Sequence, residues 1–184
     1  KLPHDSTNSG DFATSGLLSD ADLPNIPLIE VNGYGLLSFP LNNTTFQCLK
    51  PLCKQTSCGK GEEILADNGN NSYQLDPSQF EIKNETFTNQ INLLIQNKIK
   101  SGLGLAGAKI NGKIYKLIIC EKGGKFDEHK DMENEYKMFG KLIVQLPSVF
   151  AGGNFVVKHL QSSRVIENSC VGSKQDRRLM PYEP

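Results

Sequence analysis

The stretch from Ile114 to His159, IYKLIICEKGGKFDEHKDMENEYKMFGKLIVQLPSVFAGGNFVVKH, decides how the rest of the chain is read. Lys113 to Cys120, Lys141 to Leu146 and Asn154 to His159 read as strands, divided by Gly123-Gly124, Pro147 and Gly152-Gly153. Short apolar runs between turn formers predict a sheet with sharp corners. Between the first two lies the densest polar run of the chain, Glu121 to Asp131. In an extended backbone His129 and Asp131 project from one side and Lys130 from the other, because side chains alternate along a strand. One imidazole nitrogen and one carboxylate oxygen so placed can hold a common divalent metal, and a second, distant histidine would complete a facial triad for non-haem Fe(II). In a solvated charged turn the same pair needs no metal, and His129 merely hydrogen-bonds to a neighbour.

Towards the N-terminus, Glu85 to Lys100 is the clearest helix: Phe87, Ile91, Leu94, Ile95 and Ile99 recur at spacings that form one apolar stripe. Asp76-Pro77-Ser78-Gln79 has the residues of a helix start, with Asp76 as cap, Pro77 where no amide is needed and Gln79 returning a capping bond. Residues 42–72, rich in Asn, Thr, Cys, Lys and Gly, read mostly as loop. Leu28 to Val31 and Tyr34 to Phe39 read as strands joined at Asn32-Gly33, a turn whose residues tolerate positive φ. The first residues show no sustained periodicity and are expected to form a mobile leader that lies across the domain. A helix followed by several short strands favours a helix packed outside an antiparallel sheet or barrel over repeated β-α-β units.

Composition limits the partners. The 184 residues carry 20 basic and 20 acidic side chains, so no bulk attraction to nucleic acid is expected. No stretch approaches the roughly 18 apolar residues that span a bilayer, so no membrane partner is expected either. Cytoplasmic location is favoured over secreted. Asn42, Asn43, Asn70 and Asn84 begin formal glycosylation sequons, which an Asn-rich chain generates by chance. Cys48, Cys53 and Cys58 are spaced by four intervening residues. Three thiols can join an outside ligand around zinc, although paired CxxC knuckles are absent; disulfides and ordinary thiols remain alternatives. No GxSxG, HExxH or P-loop lysine is present, which argues against hydrolysis and nucleotide binding.

The combined run from Tyr115 to His159 resembles the iron(II)- and 2-oxoglutarate-dependent dioxygenase superfamily, especially its prolyl-4-hydroxylase-like branch. QLDPSQFEI and the helix before LGL are similar to the segment that packs outside the same barrel, so the likeness spans roughly residues 73–160. It implies a mainly β fold with supporting helices: a partial double-stranded β-helix, or jelly roll, with an N-terminal helical and loop region. Its division would be a leader at 1–27, a dioxygenase-like domain at 28–160 that is incomplete on its C-terminal side, and an irregular tail at 161–184. His129 and Asp131 would be iron ligands and catalytic residues. Cys120 stands where the branch often has a co-substrate tyrosine, nine residues before the first ligand, with Tyr115 as its replacement; Phe126 stands where an aromatic hydroxyl is common. Ordinary burial is the simpler expectation for Cys120.

The cofactors implied are Fe(II) and 2-oxoglutarate, and the reaction implied is hydroxylation of a C–H bond in a protein or small-molecule substrate, a peptidyl proline being the family's example. His159 is expected to pack at a strand end rather than bind metal, and His4 is a still poorer ligand candidate. No histidine follows His159, so a missing C-terminal segment would have to supply the distal ligand and a basic residue; Arg164, Arg177 and Arg178 read as solvated. The competing function is a noncatalytic binding or regulatory protein on a truncated dioxygenase fold. Its apolar sheet edges would be covered by the leader, the tail or a partner, because open edges invite pairing. A cysteine-centred zinc module is the third reading.

Overall fold

The architecture is taken from a computed structural model, which describes residues 10–18, 26–56, 71–124, 128, 136–148, 150–167 and, as backbone, 177–182. The strands are β1 (Gly16–Leu18), β2 (Ile29–Val31), β3 (Gly35–Leu36), β4 (Lys54–Gln55), β5 (Ser72–Leu75) and β6 (Phe80–Ile82). They continue as β7 (Leu117–Cys120), β8 (Lys141–Gln145), β9 (Phe155–His159), β10 (Ser162–Ile166) and β11 (Arg177–Tyr182). The helices are α1 (Asn43–Leu49), α2 (Glu85–Leu94) and α3 (Lys100–Gly102), the last two joined by a π-helical turn, Ile95–Ile99.

These strands form four separate antiparallel sheets, ordered β1-β11-β8, β3-β2-β6, β4-β5-β7 and β10-β9. Among the described residues none closes on itself. A double-stranded β-helix needs its strands paired into one curled, continuous wall, so the jelly-roll expectation, and with it the dioxygenase resemblance, is corrected: the chain is a small mixed α/β assembly with open sheets. The strands read from the sequence form in part, β7 holding only the last four residues of Lys113 to Cys120 and β3 only two of Tyr34 to Phe39, and β7 pairs with β5 and β8 with β11. The stretches expected as leader and tail contain β1, β10 and β11.

Local chemistry accounts for the elements. Asn84 caps α2, its side chain accepting from the Phe87 amide at 3.3 Å while its Nδ2 donates to the Ile26 carbonyl at 2.8 Å. Phe87, Leu94, Ile95 and Ile99 are buried along the expected stripe, each contributing about 1.5–3 kcal/mol. The Lys100 amide reaches back to the Ile95 carbonyl, five residues away, which defines the π turn. The Asp76 capping box forms as expected, at a 3-10 turn over Pro77–Gln79. Gly33, at φ 83°, makes the turn between β2 and β3.

Alternation along β8 explains the layering. Leu142 and Val144 pack against the α2 cluster of Phe87, Leu94, Ile95 and Ile99. Ile143 instead packs with Val157, Ile166 and Phe155 of the β9–β10 hairpin. β8 is thus covered on both faces, and each of its residues is half-buried. A second core, Ile29, Val31, Leu37, Phe46, Leu49, Leu75, Phe80 and Ile119, joins α1 to the β2 and β5 sheets. Ile82 and Leu146 touch both cores and tie the halves together.

Candidate functional site

Among the described residues the uncharged strand β7, Leu117-Ile118-Ile119-Cys120, ends its sheet; of the residues expected to carry chemistry, Tyr115 precedes it and Cys120 is its last residue. It pairs with β5 in the register Ser72↔Cys120, Tyr73↔Ile119, Gln74↔Ile118 and Leu75↔Leu117. The Glu121 amide donates to the Asn71 carbonyl at 2.8 Å. In an antiparallel ladder alternate residues turn both backbone groups to one side. Odd-numbered positions of β7 therefore bond to β5, and Ile118 presents its N–H and C=O to the outer edge. The side chains alternate in the other direction. Ile119 is buried against Leu75, whereas Ile118 is 45% exposed.

At the C-terminal end of the strand, Glu121 meets α1 and the turn after it. Lys50 Nζ donates to Glu121 Oε2 at 2.9 Å and Gln47 Nε2 to Oε1 at 3.4 Å. The same ammonium lies 4.8 Å from the Tyr73 ring centroid and 5.7 Å from that of Phe46. Hydrogen bonding, to Tyr73 first and then Glu121, raises the Lys50 pKa above its ordinary 10.5. The hydrogen bond from Lys50 is the largest cause holding Glu121 below its ordinary 4.5. Both shifts move away from neutrality, so the pair stays ionised there and is poorly suited to proton transfer.

Each shift has a definite sign for stability. The depressed Glu121 favours the fold above its ordinary pKa and loses that effect as pH falls through the lower folded value. The raised Lys50 favours it below 10.5 and loses the effect as pH rises through the higher folded value. A carboxyl titration by NMR should place the Glu121 midpoint below 4.5 in the native chain, and Lys50→Met should move it upward. An unmoved midpoint would show that the contact does not persist in solution.

At the other end, Tyr115 is exposed and its ring is met by two ammonium groups, Lys116 Nζ at 4.4 Å and Lys141 Nζ at 5.3 Å. Lys116 Nζ also donates to Gln74 Oε1 at 3.0 Å. Cys120 is exposed rather than buried, and its Sγ accepts from the buried Ser72 hydroxyl at 3.6 Å. Leu117 and Cys120 alone are about 10 Å apart at the usual strand rise. Tyr115 and Cys120 consequently lie at opposite ends of the strand and do not line one co-substrate pocket.

The remaining candidate ligands among the described residues are dispersed. His159 stacks on Phe12, with ring centroids 5.6 Å apart and an interplanar angle of 19°, the packing role anticipated for it. Arg164 is not solvated alone: it binds the Asp11 carboxylate and the Ala13 carbonyl. Cys48 is exposed and Cys53 half-buried, burial raising the Cys53 thiol pKa. His4, Cys58, Phe126, His129 and Asp131 lie outside the described residues, as does Cys170. Among the described residues no group of three or more His, Cys, Asp or Glu side chains is arranged to hold a metal ion.

The oxygenase expectation, with its iron and jelly-roll terms, is therefore corrected: the open sheets do not form its barrel, and the described residues contain no chelating cluster. Fe(II) and 2-oxoglutarate entered through that resemblance. The Lys50 cluster was missed because residues 42–52 read as loop; Asn42 before an apolar i, i+3 pair, Phe46 and Leu49, was the available signal, and its side chain does cap α1 through the Thr45 amide at 2.8 Å. Among the described residues no helix is long and apolar enough to cross a membrane. No family model, curated protein or solved structure matches the chain.

Proposed function

We propose that the chain is a noncatalytic protein-binding module that accepts an extended segment of another protein along the outer edge of β7. One observation carries this reading: among the described residues a four-residue, uncharged strand ends its sheet with its outward residue, Ile118, 45% exposed. Edge strands normally carry some protection against pairing, such as charge, brevity or a covering segment.

β1 is also uncharged and exposes Leu17, but it is one residue shorter than β7. The edges of β3, β4, β6 and the β9–β10 hairpin compare unfavourably. β3 and β4 are two residues each, and Lys54 of β4 is tied to Asp76 at 2.6 Å. β6 carries Glu81, which with Glu30 binds Lys83 at 2.6 and 2.9 Å, and these contacts push the Lys83 pKa up to about 12, Glu81 contributing most. The β9–β10 hairpin exposes Val156 and Val165 opposite one another, yet Lys158 binds Glu128 at 2.6 Å on β9 and Arg164 binds Asp11 on β10. β7 has no charged side chain of its own, and exposed Ile114 and Tyr115 extend its apolar character.

Strand addition draws affinity from main-chain hydrogen bonds and selectivity from alternate side chains. Ile118→Pro removes the outward amide while leaving the β5-facing amides of Leu117 and Ile119 in place. Titrating a capped octapeptide of alternating valine and threonine should give saturable binding to the native chain and none to Ile118→Pro, with both chains melting alike. Equal binding by both would reject the β7 edge as the contact.

A further inference from the structure

We propose that, while no other protein occupies the β7 edge, a second copy of the chain closes it, β7 pairing antiparallel with β7 about a two-fold axis at Ile118; this rests on the strand-addition reading above and makes release of that copy the step that opens the edge. The chain leaves β7 on the side away from this edge. The Glu121 amide donates to the Asn71 carbonyl at 2.8 Å, the Gly124 amide to the Glu121 carbonyl at 2.8 Å and Asn71 Nδ2 to the Lys122 carbonyl at 3.1 Å. A Cβ at Gly124 would lie 2.9 Å from the Asn71 carbonyl oxygen and 3.0 Å from Ser72 Oγ, so the turn sits against the start of β5. Among the described residues no strand pairs with the outer side of β7.

Ile118 turns both its N–H and its C=O outward, so a strand opposite it exchanges both bonds with it. In two strands related by a two-fold axis, residues equally far from the axis face one another on the same side of the sheet. With the axis at Ile118, that residue meets itself, Leu117 meets Ile119 of the second copy, and Lys116 meets Cys120 of the second copy. Apolar side chains thus lie against apolar ones on both faces of the joint, and Lys116, bonded to Gln74 Oε1 at 3.0 Å within its own chain, faces an uncharged thiol. The neighbouring axes are poorer. At Lys116 the axis sets that lysine against itself, at Ile119 it sets Lys116 against Lys122, and at Leu117 or Cys120 it puts a lysine opposite Ile118. Like charges directly opposite destabilise a strand pair. β7 is therefore its own complement in one register, and the pairing continues β4-β5-β7 antiparallel into the same sheet of the second copy. Two short strands joined at their edges make a small contact, at the transient end of interfaces, below about 1,200 Å² in total. Dilution or a competing segment accordingly frees the edge.

The test is sedimentation equilibrium of the full chain over a dilution series, with hydrogen exchange followed at the Ile118 amide. The native chain should pass from monomer to dimer as concentration rises, Ile118 should exchange more slowly in the dimer, and the valine–threonine octapeptide should dissociate it. Ile118→Lys keeps the amide but sets like charges at the axis, and should weaken self-association roughly tenfold, about 1.4 kcal/mol. Lys116→Cys, oxidised with diamide, should give a covalent dimer joined from position 116 of one copy to Cys120 of the other. Directly opposed residues lie about 5.5 Å apart, within disulfide reach, whereas these two positions in one strand are about 13 Å apart. A chain that is monomeric at every concentration, with Ile118 exchange slowed by the octapeptide, would overturn the second copy and leave strand addition standing. A monomer whose Ile118 amide exchanges slowly without peptide, or is not slowed by it, would overturn both. A dimer unaffected by Ile118→Lys and by saturating octapeptide, or crosslinked only through other thiols, would place the contact elsewhere and overturn this inference.

Discussion

Leu75→Ala is expected to lower unfolding stability by about 2–5 kcal/mol, the range for removing a fully buried leucine and leaving a cavity. Leu75 is 0% exposed and belongs to the core that joins Ile119 of β7 to Phe46 and Leu49 of α1. Its pairing with Leu117 makes it part of the foundation on which the β7 edge stands. The natural control is Ile118→Thr, one strand away but outward, which should change stability by no more than about 0.5 kcal/mol. Urea unfolding of the two variants and the native chain measures both. Similar losses for both would mean that Ile118 is buried in solution, and the edge would then be closed.

Gly10→Ala should unseat the N-terminal crossing of the fold, at a cost of about 1–3 kcal/mol for forcing atoms into filled space. A Cβ at Gly10 would collide with the backbone of Leu103 and Gly104, which cannot swing aside as a side chain can. One residue later the Asp11 amide donates to the Gly102 carbonyl at 3.1 Å, so the segment crosses the end of α3 at backbone contact. The contacts of the next residues depend on that crossing: Asp11 and the Ala13 carbonyl hold Arg164, Phe12 stacks on His159, and Ala13 is buried with Val157 and Ile166. Hydrogen exchange should quicken across β9 and β10 in Gly10→Ala. Gly16→Ala is the control, since a Cβ there meets nothing within 4 Å. No change in β9 and β10 exchange would show that the hairpin does not depend on the crossing.

The sequence carries local instructions more plainly than pairing instructions. The α2 stripe from Phe87 to Ile99, the Asn32-Gly33 turn and the Asp76 capping box are set by residues within a few positions of one another, and each forms where the spacing places it. The π turn inside the stripe was not legible, because a five-residue hydrogen bond barely disturbs apolar spacing. Helix α1 was obscured by Thr44 and Thr45, whose branched side chains disfavour helix, and by having only Phe46 and Leu49 to mark its inner face.

Sheet closure was the largest misreading, and its cause is physical. Alternation along Leu117–Cys120 or Lys141–Gln145 fixes which side chains turn inward, but not which strand supplies the hydrogen bonds. Runs that suit consecutive barrel strands suit equally well the separate pairings with β5 and β11. The expectation that apolar sheet edges would be left to receive something came from the same mistaken barrel. The edge at β7 instead follows from the order β4-β5-β7, in which it is the last strand among the described residues.

The most direct measurement is a heteronuclear NMR spectrum of the native chain saturated with the valine–threonine octapeptide, in which cross-strand contacts to the Ile118 amide are sought. The account requires contacts from the peptide backbone to Ile118, slowed exchange of that amide, and an unchanged pattern for Leu117 and Ile119 on the β5 side. Peptide contacts confined to side chains elsewhere, with Ile118 exchanging as in the unbound chain, would contradict it.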